Sequence, residues 1–188
     1  MKLSNLLQNY NVKAMGFPAV AGLSEHSKGD KPAVLSTLAA PQLFAQGITD
    51  YYSLVIPRGS IFKTTDDILA ADPDVKHYKI IAVDTNNLPT AITTQHQGTL
   101  DILKELYPDA EVINQRQADG TVRNLTADDV RGKHIIGVLP PFLIEVAAAF
   151  TSTSIVNYNA ATDGDLQGDE LRQRLVIADQ AITIEEIK

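Results

Sequence analysis

Residues 93–99, Thr-Thr-Gln-His-Gln-Gly-Thr, gather hydroxyls, amides and an imidazole just ahead of a run with helical apolar spacing. Gly98 lets the chain turn from a strand into a helix. The first turn of a helix has N–H groups without intrahelical partners and a partial positive charge, so such a turn suits a phosphate. His96 would then donate to a phosphate oxygen or carry a proton. Thr93, Thr94, Gln95, Gln97, Gly98 and Thr99 would line the ligand. The same run also fits a plain helix start with solvated polar side chains; it is neither a P-loop nor a GxGxxG turn. A second candidate is Gly137-Val138-Leu139-Pro140-Pro141. Gly137 permits close approach of a ligand or a neighbouring strand, Leu139 and Pro140 follow it, and prolines opening a helix are also ordinary structure. Ser36 and Thr37 close an earlier strand with hydroxyls, and Arg58 follows another as a possible anion contact.

Other chemistries lack their residues. There is no cysteine, which excludes disulfides, thiolate zinc sites and cysteine nucleophiles. His26, His77 and His134 have no partner at metal-ligand spacing and there is no HExxH, so no metal and no cofactor are expected. Asp163, Asp165, Asp169 and Glu170 resemble the start of a calcium loop, but no acid stands at its twelfth position. No GxSxG nucleophile elbow occurs.

The elements that must position these residues alternate. Leu3, Leu6, Leu7 and Tyr10 share a helical face, and 22–32 is a loop by composition. Strands are expected at 33–37, 51–56, 78–83, 90–94, 111–114, 134–138 and 154–158. Helices are expected after Pro41, after Thr64-Thr65, from Gly98 to Leu106, and from Pro140 through Phe150. Residues 115–129 read as a polar loop or hairpin turning at Asp119-Gly120, 171–177 as a helix, and 182–187 as a short closing element. Strands alternating with helices specify an α/β chain with a mostly parallel sheet flanked by helices. Ligands of such sheets gather at the carboxyl ends of strands, where every candidate above falls. Residues 34–56 align without gaps on 135–157, an internal echo that divides the chain into halves 1–89 and 90–188; either the first half is a diverged repeat of the second, or the echo is the pattern that any two βαβ units share.

The whole chain has 188 residues, 44% hydrophobic and 21% charged, with net charge −7. That supplies a sizeable core. The acidic balance disfavours long nucleic acids, whose affinity rests on phosphate neutralisation. The longest apolar run, 135–150, is too short and too interrupted for a bilayer, and the first ten residues do not read as a signal peptide. A cytoplasmic protein is expected.

Three segments together resemble a known family. Residues 92–103, ITTQHQGTLDIL, are similar to a strand–"TRHPGA"–helix opening; Gly132 to Pro140, GKHIIGVLP, resembles "GD.VIG.LP..L"; and Gln167 to Leu171, QGDEL, resembles a late "RGREL". In this order they are similar to the small CRISPR-associated accessory proteins of the Csx type, linked to type III antiviral defence and grouped with ring nucleases. The resemblance covers 90–188. It implies a Rossmann-like (CARF-like) homodimer, or a single chain of two copies imitating one, that binds cyclic oligoadenylate. Cleavage would need no metal: a ribose 2′-OH would attack the adjacent phosphate. His96 matches the motif histidine, Gly98 and Thr99 the turn into the helix, and Gly137, Leu139 and Pro140 the second motif. If the first half is a second copy, Ser36 and Thr37 face the same pocket. Gln95 stands where the family has arginine, Gln97 where it has proline, and Gln167 where it has arginine. The lost cations favour a sensor or sponge that binds without turnover; a Rossmann-like enzyme acting on a mononucleotide is the further alternative.

Overall fold

The computed structural model describes residues 1–56, 60–113, 124–158 and 166–188. The chain is mixed α/β, and its contacts divide it into two compact units: Met1–Ile81 with Ile184–Lys188, and Ala82–Thr183. Arg58, the Asp119-Gly120 turn, Asp163 and Asp165 lie outside the described residues.

In the first unit, α1 (Leu3–Asn9) buries Leu3, Leu6 and Leu7, the face that their spacing specifies. Tyr10 does not extend this helix; it starts β1 (Tyr10–Met15), where only Val12 and Ala14 are buried. That two-residue alternation is too short to stand out beside the preceding leucines. Strands β1, β2 (Lys31–Ser36) and β3 (Asp50–Leu54) pair in parallel, and β4 (Val75–Ala82) pairs antiparallel to β3. The connections carry α2 (Pro18–Ala21), α3 (Ala40–Ala45) and α4 (Thr65–Ala71). Thr64 caps α4 by accepting from the Asp67 N–H, while the Asp67 carboxylate accepts from Thr64 and Lys63. Those donors hold the Asp67 carboxyl below its ordinary range.

In the second unit, β5 (Thr90–Thr93) lies between β6 (Glu111–Val112) and β7 (His134–Gly137), and β8 (Ala149–Ile155) lies beyond β7; all three pairings are parallel. The short strand β9 (Leu175–Ile177) runs antiparallel to β8, and Ile182, at the start of β10 (Ile182–Ile187), pairs with Phe150. Helix α5 (Gln97–Leu106) follows β5, α6 (Ala127–Val130) precedes β7, α7 (Pro141–Ile144) follows β7, and α8 (Gly168–Arg174) precedes β9. Leu100 and Leu103 of α5 pack on Ile92 and Ile136, neighbours in register on β5 and β7.

Two further expectations need correction. The helix after Pro140 stops at Ile144, where the Val146 and Ala147 N–H groups both return to the Leu143 carbonyl. The chain is already in β8 by Ala149, because buried Ala149, Phe150 and Thr151 fit the pleated surface beside β7. The expected 171–177 helix divides, ending at Arg174 and continuing as β9.

The gapless alignment of 34–56 on 135–157 has local counterparts. Helices α3 and α7 begin at aligned positions, Ala40 and Pro141, and bury the aligned Leu43 and Ile144. The Thr37 N–H donates to the Met15 carbonyl on the neighbouring strand; at the aligned position the Val138 N–H donates to the Thr93 carbonyl.

Candidate functional site

The order β6-β5-β7-β8 sets where a ligand can enter the second unit. The β5–α5–β6 connection leaves to one side of β5, and β7–α7–β8 leaves to the opposite side. Right-handed crossovers running in opposite directions lie on opposite faces, so the chain parts at the carboxyl ends of β5 and β7. Open α/β sheets hold ligands at such a switch point. The first unit has none between β1 and β3, because there both parallel connections run the same way along β1-β2-β3.

The two segments nominated from sequence meet here. Thr93 pairs with Gly137, and the Val138 N–H donates to the Thr93 carbonyl at 3.1 Å. Gly137 has φ +130°, and a Cβ added there would lie 1.8 Å from the Thr93 carbonyl oxygen. Its missing side chain thus admits the neighbouring strand. Leu139 is buried, and Pro140 takes the N-cap position of α7.

At the β5 end, burial sorts the residues. Thr93, Thr94 and Thr99 are buried, whereas Gln95, His96 and Gln97 are exposed. The Thr94 hydroxyl accepts from the His96 N–H at 3.2 Å, a local turn that fixes the approach to α5. His96 is the N-cap residue and contributes no side-chain cap. The Thr93 hydroxyl is buried with no hydrogen-bond partner among the described residues. Val138 and Phe142 are more than half exposed although apolar. Tyr158 meets His96 edge-on, ring centroids 6.2 Å apart. Arg174 steadies the turn before that tyrosine, donating to the Val156 carbonyl at 3.0 Å and the Asn157 carbonyl at 2.6 Å while also pairing with Glu170.

The first turn of α5 also borders a cleft of about 230 Å³ lined by Gln97, Gly98, Asp101, Ile102, Gln167, Gly168 and Arg172. A Cβ on Gly98 would sit 2.9 Å from Leu171 Cδ2 and 3.0 Å from the Leu166 carbonyl oxygen, so this glycine seats the 166–171 segment against α5. The Gln97 amide donates to Asp101 Oδ1 at 2.7 Å, and Arg172 pairs with Glu105. Sequence reasoning missed Asp101 and Arg172; an acidic residue one turn after Gln97 is ordinary helix surface until α8 packs beside it.

Ser36 and Thr37 belong to the first unit and have local roles. The Ser36 hydroxyl accepts from the Leu38 N–H, and the Thr37 hydroxyl occupies the space above Gly16, 1.9 Å from where a Cβ would lie. Among the described residues no cluster of three or more histidines or acids could hold a metal ion, and no helix is long and apolar enough to cross a membrane. No family model, curated protein or solved structure matches the chain.

Proposed function

We propose that this chain is a Rossmann-like protein that binds a cyclic oligoadenylate at the carboxyl ends of β5 and β7 and opens it, as the resemblance to small type III CRISPR accessory proteins implies. The observation that carries this reading is convergence. The three resembling segments, far apart in sequence, adjoin one another: Thr93 pairs with Gly137 at the strand ends, and Gly98 abuts the 166–171 segment. An exposed imidazole at the start of a ten-residue helix, with Tyr158 against it, lies at the same place. In the reaction a ribose 2′-oxygen bonds to the adjacent phosphorus as the bond from phosphorus to the 5′-oxygen breaks. The 2′-OH gives up its proton and the leaving 5′-oxygen gains one, which leaves a 2′,3′-cyclic phosphate. His96 is the group able to carry either proton, and the first-turn N–H groups of α5 face growing charge on phosphate oxygens. The matching local geometry of α3 and α7 supports a diverged internal duplication.

The test is incubation with cyclic tetra- and hexa-adenylate in the presence of a chelator, followed by chromatography. Linear products ending in a cyclic phosphate are expected, and His96→Ala should slow their formation at least about tenfold. An unchanged rate in that variant removes His96 from the chemistry. A second reading, binding without turnover, is favoured by glutamine at positions 95 and 167 and by the Glu105 carboxylate already paired with Arg172. Tight binding without products would establish that reading; no binding of either ring removes both.

A further inference from the structure

The cleft between α5 and α8 differs in chemistry from the strand ends. From its size and charge we infer that it is a base site, taking a purine with an exocyclic amine; this rests on the proposed ligand class and says which part of that ligand goes where. Its volume of about 230 Å³ falls below the roughly 300–1,000 Å³ of sites for drug-sized molecules. It therefore suits one ring system, not a whole oligonucleotide. Its charges argue against phosphate. Asp101 faces the cleft, and among the described residues its one lining cation, Arg172, is already matched by Glu105. A phosphate there would meet a carboxylate with little positive charge to offset it.

An amine-bearing base meets complementary groups. The Asp101 carboxylate accepts the Gln97 amide through Oδ1, and a carboxylate has acceptor sites for more than one donor. The exocyclic amine of adenine supplies such a donor. The Gln167 amide, whose side chain does not cap α8, can both accept and donate, the pattern that matches the adenine amine and its adjacent ring nitrogen. Ile102, buried at 7% exposure, gives the ring an apolar wall. Gly168 has φ +60°, and among the described residues nothing lies within 4 Å of a Cβ added there. Hypoxanthine would turn a carbonyl oxygen toward Asp101 and be rejected.

The full chain is titrated with adenosine, inosine and inorganic phosphate by calorimetry, and Asp101→Asn and Gln167→Ala are titrated beside it. Adenosine is expected to bind at least about tenfold more tightly than inosine, the discrimination of one good bidentate pair. Asp101→Asn should erase most of that preference, and Gln167→Ala should weaken adenosine without strengthening phosphate. Failure of adenosine to bind, equal affinity for the two nucleosides, or displacement of adenosine by phosphate would overturn the base site. Cyclic tetra-adenylate separates this from the broader reading. Undiminished ring affinity in Asp101→Asn refutes the base site and leaves ring binding standing. No ring binding by the unaltered chain refutes the ring, while the adenosine–inosine difference still decides the cleft.

Discussion

Thr93 and Thr94 are adjacent, buried and chemically identical, yet the fold treats them differently. Among the described residues the Thr93 hydroxyl has no hydrogen-bond partner, whereas the Thr94 hydroxyl accepts from the His96 N–H. A buried polar group without a partner costs free energy that a methyl group of similar shape does not. Thr93→Val is therefore expected to leave the thermal midpoint unchanged or to raise it. Thr94→Val should lower stability by about 0.5–1.5 kcal/mol, the net value of one hydrogen bond, and should loosen His96. Calorimetric unfolding of the two variants side by side is the check. A clear loss in Thr93→Val would show that the hydroxyl is satisfied by an internal water. The sequence made both threonines candidate ligand contacts; burial leaves Gln95, His96 and Gln97 as the side chains of this turn that solvent reaches.

At the scale of elements, two glycines hold the site together by different means. Gly137 brings the ends of β5 and β7 into contact, and what blocks a Cβ there is a main-chain oxygen, at a φ that side chains rarely adopt. Gly98 seats the 166–171 segment on α5, and its nearest obstacle is the flexible end of Leu171. Gly137→Ala is expected to cost about 3 kcal/mol or more. Gly98→Ala should cost about 1 kcal/mol, because mild overpacking is partly offset by alanine's preference for helices. Denaturant midpoints that reversed this order would show that the β5–β7 contact is not held by the missing side chain. The start of α5 was legible from its glycine and apolar spacing. The early end of α7 was not, because its stop depends on the buried surface beside β7 and not on a local breaker.

For the whole molecule, His134 links stability to acidity. It is buried on β7 and hydrogen-bonds the Thr151 hydroxyl at 2.8 Å. Burial holds its pKa below the ordinary 6.5, so the unfolded chain takes up a proton on acidification before the folded chain does. Its contribution is present in full above about pH 6.5 and is lost as pH falls from there toward the folded value. Thermal midpoints measured at about pH 7.5 and about pH 5.5 should differ less in His134→Leu than in the unaltered chain. An equal fall in both would assign the acid sensitivity to other groups. The sequence placed His134 at the start of a strand but gave it no partner, because Thr151 reaches it through the parallel pairing of β7 and β8.

Local sequence by itself specified the alternation of strands and helices, the apolar face of α1, the cap of α4 and the glycine turn into α5. These depend on spacing and on single residues whose backbone preferences act over a few positions. Tertiary structure alone decided that Thr93 meets Gly137 and that α8 packs on Gly98, with Asp101 and Arg172 on one cleft. Strand order and helix packing join residues tens of positions apart. No local preference encodes such pairings; they are fixed by which buried surfaces fit together.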